Sequence, residues 1–360
     1  MKKIFLFLLI CLNMNAFAGV KESLDSIFEA RYPHGDTEPG AAVIIAHNDS
    51  IIYERYFGLA DVEARKPVTA STMFNIASVS KQFTVVALMQ QHIDLDTPVS
   101  HLFNYPQPFY KRVTLRHLAS HTSGVPDVRR TFLDRAGLIA CNDSMSLLNF
   151  EKAHKLEFEP GTDYNYLNPS FVLLSKVVEM SSGQEFGAYM HDHIFAPAGM
   201  TSARYFSPEG MPDDAAHAYI IDANGQWEQF EYGKETCFAT RGDGGIYATA
   251  RDMLRWERAL ATGTLIGHEQ LQEAYTPHIA TSNSKWCDYQ RRPNTHYGLG
   301  WFVEQRPGKP VKVFHTGDNG GFQAYVAKYP AHGISFIVLE NRNDRDRWAM
   351  ATTLDQALNL

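Results

Sequence analysis

Cysteine is scarce: the 360 residues hold four, and no two of them are spaced as Cys-x-x-Cys. A zinc ribbon and a thioredoxin-like redox motif are therefore excluded. Positive charge is also in short supply. Lys and Arg number 33 against 40 Asp and Glu, a net charge of −7 with a pI near 6.1. That balance gives no electrostatic reason to expect nucleic acid or an anionic membrane as a partner. The N-terminal apolar run Ile4–Leu12 is too short to span a bilayer, which takes roughly 18 apolar residues. Internal repeats, low-complexity tracts and long linkers are missing as well, so a solenoid or a disordered tether is not indicated.

What is present is an ordinary globular composition, 44% hydrophobic and 20% charged, enough for a large core. Lys2 and Lys3 precede the apolar run, and Ala16-Phe17-Ala18 follows with small residues at the cleavage positions. Residues 1–18 thus read as a secretory signal peptide, and the mature chain, from Gly19, is expected in the periplasm or outside the cell. Cys11 follows Ile10, where lipoprotein processing favours a small residue, so no stable membrane anchor is expected. Cys141, Cys237 and Cys287 remain. An odd count leaves at least one without an intramolecular partner, and a Cys237–Cys287 bridge stays open.

In chain order, residues 20–30 read as an amphipathic helix with Leu24, Ile27 and Phe28 on one side. Ala41–Ala46 and Ile51–Phe57 read as strands of a hairpin turned by His47-Asn48-Asp49-Ser50. The next helix, carrying Val79, Phe83, Val85, Val86, Leu88 and Met89, is apolar on most sides and so buried. Helices joined by Pro-, Gly- and Asp-rich loops follow to about residue 285. The clearest are 169–180, with Asn168 as its expected cap and Pro169 in its first position, and 249–260. The period then becomes that of strands, at 297–303, 311–316, 322–329 and 334–340, before a last helix over 345–357. Strands at both ends with helices between suggest one sheet assembled from the two termini. Sheet parts are expected at about 19–75 and 290–360, and an inserted helical part at 76–289.

The buried helix opens with Ser78 and Lys81. Three residues apart, they project from one helix face, and a serine in the first turn feels the positive end of the helix dipole. An amine beside a hydroxyl suits a nucleophile with its base. Two further stretches carry chemistry in order: Tyr166-Leu167-Asn168, just before a helix, and His315-Thr316-Gly317-Asp318, ending a strand.

The ordered set Ser-x-x-Lys, Tyr-x-Asn, His-Thr-Gly resembles the penicillin-recognising serine hydrolases: class C β-lactamases, related DD-peptidases and a group of esterases. Further landmarks extend the likeness, among them Pro39-Gly40-Ala41-Ala42-Val43, Leu118 to Gly124, Phe195 to Met200, Gly244 to Thr249 and Tyr297 to Trp301. The resemblance implies a mixed α/β fold: an antiparallel sheet from both termini flanked by helices, with an inserted helical subdomain and the cleft between them. It implies acyl-enzyme formation on Ser78, with Lys81 and Tyr166 sharing the proton transfers in an order left open. Asn168 would orient Lys81 and the substrate amide. The backbone N–H groups of Ser78 and Asp318 would form the oxyanion hole, and the strand with His315, Thr316 and Gly317 would lie along the substrate. No metal and no cofactor are implied. The expected substrates are D-amino-acid peptides, in a D-Ala-D-Ala carboxypeptidase-like reaction, or small esters. A class C-like β-lactamase and a penicillin-binding sensor without turnover are the alternatives. Oligomeric state is left open.

Three departures from that pattern stand out. His315 occupies a place where lysine is common. With an ordinary pKa near 6.5 it is expected to be partly charged at neutral pH and to read a substrate carboxylate only below that pKa. Leu167 replaces a common serine. The segment Met89 to Asp96 is short and lacks a helix-ending glycine, which bears on stability. His191 and His193 are read as surface residues, Arg241-Gly242-Asp243 as a chance loop, and His121 as architectural.

Overall fold

The computed structural model describes residues 19–48, 50–134, 137–138, 142–205, 213–230 and 240–360. The expected signal peptide, Cys141 and Cys237 lie outside them, and Cys287 has no disulfide partner among the described residues. No described helix is long and apolar enough to cross a membrane.

Helix α1 (residues 19–31) precedes a hairpin of β1 (Ala41–His47) and β2 (Ser50–Phe57). The C-terminal third supplies β3 (Ile279–Ala280), β4 (Thr295–Tyr297), β5 (Phe302–Glu304), β6 (Lys312–Asn319), β7 (Phe322–Tyr329) and β8 (Ile334–Glu340). They form one antiparallel sheet in the order β3-β4-β5-β6-β7-β8-β1-β2. β1 closes it by pairing with β8, Ala41 opposite Glu340 and His47 opposite Ile334. The expected assembly from both termini is what forms.

The alternation of side chains along a strand divides the core in two. On one face Ala42, Ile44, Val326, Ile337 and Leu339 meet the helical block. On the other, Val43, Ile45, Tyr325, Phe336 and Val338 pack under Leu24 and Phe28 of α1 and Met350 and Leu354 of α5 (Arg347–Ala357). A sheet covered on both faces has near-continuous apolar strands, as Ala41–Ala46 does.

The helical block is built on α2 (Ser80–Gln90), α3 (Asn168–Ser182) and α4 (Ala250–Ala261). Thr249 caps α4 in a reciprocal box with Asp252. Several boundaries differ from expectation. The 297–303 run is not one strand: Gly298 to Trp301 turns between β4 and β5. A β-carbon on Gly298 would sit 2.3 Å from the Ala274 carbonyl, and Gly300 has φ 79° against Val85 and the Lys81 carbonyl. Only glycine admits these approaches. Asn168 does not cap α3 but begins it. Leu167 holds the extended cap position without a side-chain bond, and Pro169 fills the first turn. The last helix starts at Arg347, where Asp346 accepts from the N–H groups of Trp348 and Ala349 at 2.8 and 3.0 Å.

Candidate active site

The site lies where the edge of the helical block meets β6. Ser78 belongs to a 3-10 turn, Ala77–Val79, that runs into α2, one turn ahead of the α-helical register expected for it. The turn begins with Ala77 at φ 46°, a left-handed conformation rare for a residue with a β-carbon. Asn75 holds it, its Oδ1 accepting from the Ala77 N–H at 2.8 Å. Ala77 and Val79 are buried, whereas Ser78 is only half-buried.

Lys81 has no exposed surface. Its Nζ lies 3.0 Å from Ser78 Oγ and donates to the Asp243 carbonyl at 2.9 Å. The rings of Tyr166 and Phe171 stand 4.9 and 5.5 Å from it. Burial disfavours the ammonium and draws its pKa down to about 8. The Asp243 carboxylate opposes that shift and the Arg129 guanidinium adds to it.

The carbonyl that holds Lys81 was not visible in the sequence as a site feature. Arg241-Gly242-Asp243 is a loop, as expected, but a tightly packed one: a β-carbon on Gly242 would come 2.1 Å from the Phe171 carbonyl. Thr84 of α2 donates to the Gly242 carbonyl at 2.5 Å. The segment is a strap between α2 and α3, and its backbone aims at Lys81.

Tyr166 is set by His121, as the architectural reading expected. His121 is buried with φ 57°. Its Nδ1 accepts from the Leu167 N–H at 3.1 Å, and its ring lies 4.2 Å from that of Tyr166. Burial raises the Tyr166 phenol well above its ordinary range, with Tyr289 and Tyr297 adding and Ser78 opposing. Among the described residues neither the buried hydroxyl nor the buried Asn168 Oδ1 has a hydrogen-bond partner. At neutral pH Tyr166 is therefore a phenol, close to an amine that is partly neutral.

On β6, His315 and Thr316 have no exposed surface. The partners of His315 assign its tautomer: Nδ1–H donates to the Thr316 carbonyl at 2.6 Å, and Nε2 accepts from the Tyr297 hydroxyl at 3.1 Å. Burial, with the charge of Lys81 beside it, lowers its pKa to about 3. This corrects the expectation of a half-charged histidine: its solvation shell is gone, and both ring nitrogens are satisfied in the neutral form. Thr316 Oγ1 is covered by the Tyr289 hydroxyl at 3.1 Å and the Gln290 amide at 2.9 Å. Gly317 packs against the Ser78 turn, and Asp318, nearly half exposed, is clamped by Arg347 of α5 at 2.6 Å. The structure thus brings Ser78, Lys81 and Tyr166 together with Gly317 of β6, and Asp318 follows it on the exposed part of that strand. The side chains of His315 and Thr316 are buried.

The other histidine pair does not converge. His191 bonds Asp192 and His193 bonds Gln184.

Comparison with known proteins supplies the context for this geometry. The family profile described as Beta-lactamase matches residues 28–359. Penicillin-binding protein 4* of Bacillus subtilis is 28% identical over 86% of this chain and 69% of its own length. A D-aminopeptidase of Gluconobacter oxydans is 28% identical over 96% of this chain, which spans 63% of that enzyme. Among solved structures, a penicillin binding protein from Bacillus halodurans superposes with a TM-score of 0.76. It shares 28% identity over 93% of this chain and 99% of its own.

Proposed function

The chain belongs to the beta-lactamase family and is a serine hydrolase, and from that premise we propose that it cleaves amides or peptides of D-amino acids through an acyl-enzyme on Ser78. The observation that carries the mechanism is the contact of Lys81 with Ser78 at 3.0 Å, by an amine whose pKa is lowered to about 8. Neutral Lys81 takes the proton of Ser78 as Oγ attacks the carbonyl carbon. Tyr166, held as a phenol, then donates its proton to the departing nitrogen and is reprotonated from Lys81. This division of labour matches the two pKa directions: a base near the working pH is effective, and a phenol far above it is not. The N–H groups of Ser78 and Asp318 are proposed as donors to the oxyanion, with Asn168 Oδ1, buried and unpartnered, as acceptor for the substrate amide.

The substrate class is supported by the D-aminopeptidase and penicillin-binding relatives. A carboxypeptidase needs a cation for the terminal carboxylate. Neutral His315 does not supply one, and Arg347 is already paired with Asp318. D-amino-acid amides and longer peptides, or small esters, are therefore favoured over D-Ala-D-Ala carboxypeptidation. Action outside the cytoplasm is proposed from the leader at residues 1–18, and a secreted product whose mass begins at Gly19 would bear it out.

The test is a panel of D-alaninamide, a D-Ala-D-Ala peptide, a p-nitrophenyl ester and a cephalosporin, run on wild type and Ser78→Ala. Sustained turnover of D-alaninamide, lost in Ser78→Ala, is expected. A burst of p-nitrophenol without turnover of any substrate would make the protein a sensor, and preferred cephalosporin hydrolysis would make it a β-lactamase.

A further inference from the structure

Apart from Ser78 and Lys81 the protein carries an open hollow of about 700 Å³ whose walls include Val128, Phe132, Lys152, Lys155, Glu157 and Trp286. Two of its lining residues are tied to neighbours of Tyr166. Glu157 accepts from the side-chain amide of Asn165, the residue before Tyr166. Trp286 belongs to the loop whose Tyr289 ring stands 4.5 Å from that of Tyr166. The hollow is thereby linked to the Tyr166 side of the site.

Its lining has two chemistries. Val128, Phe132 and Trp286 give apolar surface, and Trp286 is 47% exposed, a large aromatic left facing water. Lys152 and Lys155 are exposed and have no ion-pair partner among the described residues, the Lys152 ammonium resting 5.4 Å from the Phe132 ring. Glu157 is the one carboxylate in the lining, and it is engaged by Asn165. Unpaired cations above an aromatic floor suit an anion carried on an apolar body.

We infer that this hollow is a subsite for the leaving-group side of the substrate, selecting an apolar segment that ends in a carboxylate. The inference rests on the proposed reaction. There the carbon–nitrogen bond breaks while the acyl group stays on Ser78 Oγ, and the nitrogen leaves as an amine with the proton from Tyr166. That nitrogen must lie against Tyr166, and whatever it carries continues toward Glu157 and Trp286. Because the lysines line the hollow and not the Ser78 turn, the charge they read is placed beyond the carboxylate of a single leaving D-alanine. The favoured leaving group is longer, with its charge several bonds from the nitrogen.

The test compares D-alanine linked through its carboxyl to 4-(4-aminophenyl)butyrate with the same compound as its butyramide, with D-alaninamide as the short reference. Wild type should prefer the anion by about fivefold in kcat/KM at low salt, the range for two exposed charge contacts. The preference should shrink toward parity at roughly 0.5 M salt and in the Lys152→Ala/Lys155→Ala variant. Trp286→Ala should lower both long substrates relative to D-alaninamide. Equal rates for anion and amide at low salt would overturn the subsite, and so would a charge preference that follows the acyl side instead. Failure of D-alaninamide turnover would strike at the reaction rather than the subsite. Binding of the two long compounds to Ser78→Ala, read by titration calorimetry, then decides the subsite alone: tighter binding of the anion upholds it, equal binding overturns it.

Discussion

Gly317 lies flat against the carbonyl of Ile76, so closely that a β-carbon on it would come within 2.3 Å of that oxygen. The contact fixes the spacing between β6 and the turn that presents Ser78. Arg347 steadies the strand from behind, donating to the Gly317 carbonyl at 3.2 Å.

Gly317→Ala must push β6 and the Ser78 turn apart, because the obstacle is backbone and not a movable side-chain tip. Displacement of reacting groups by about 1 Å costs on the order of a hundredfold in rate. The expected outcome is a folded protein, by circular dichroism, with kcat/KM for D-alaninamide down about a hundredfold. Activity within twofold of wild type would show that the spacing is not set here.

Lys81 should govern the alkaline behaviour of acylation. With its pKa drawn down to about 8, the neutral amine accumulates as pH rises, so kcat/KM should climb through pH 8 and then level. Arg129 contributes to that lowering, and its partner Asp127 is 2.7 Å away. Arg129→Gln removes a cation and releases a carboxylate, both of which favour the ammonium, so the rise should move to higher pH. A midpoint that stays put in the variant, or moves down, refutes this account of the base.

His315 carries a stability signature. Its native pKa of about 3 lies below the unfolded value of about 6.5. Between those values the unfolded chain binds a proton that the native one refuses, so its contribution is whole above pH 6.5 and is lost as pH falls toward 3. By pH 5 the loss amounts to about 2 kcal/mol. Urea unfolding at pH 7 and pH 5 should show that much less acid sensitivity in His315→Gln than in wild type. Identical pH dependence in the two proteins would mean the imidazole is not buried neutral.

His92 ends α2 in a left-handed conformation, φ 53°, with its N–H on the Met89 carbonyl at 3.2 Å. This is the place where a helix-closing glycine is the usual solution. His92→Gly should raise stability by about 1 kcal/mol, seen as a higher urea midpoint with an unchanged slope. A lower midpoint would indicate that the imidazole makes a compensating contact.

What could be read from the sequence follows a physical divide. The sheet was legible because Ala41–Ala46 and its partners are apolar on both faces, and the hairpin because a polar turn interrupts two such runs. Ser78, Lys81 and Tyr166 were legible because their chemistry resides in side chains at fixed spacing. The grip of the Asp243 carbonyl on Lys81 was not, since every residue carries a carbonyl and only the fold says where it points. The neutrality of His315 was hidden for the same reason: it depends on Tyr297 and on the absence of water. The break at Gly298 to Trp301 escaped notice because each residue in it is compatible with a strand. The crowding that demands glycine comes from Ala274 and Val85, distant in the chain.

The position of β1 has a kinetic side. Hydrogen-bonded to β2 on one flank, it meets its other partner, β8, only when almost the whole chain is available, Ala41 pairing with Glu340. The early hairpin is a half-finished surface with one unsatisfied edge, and such edges invite pairing with other chains. Contacts this remote in sequence also slow folding. The complete sheet cannot close until β8 has been synthesised, so the β1–β8 pairing comes late. The interval before that closure is when the protein is most exposed to aggregation, and a chaperone that shields β1 would act on the rate of maturation without touching the finished enzyme.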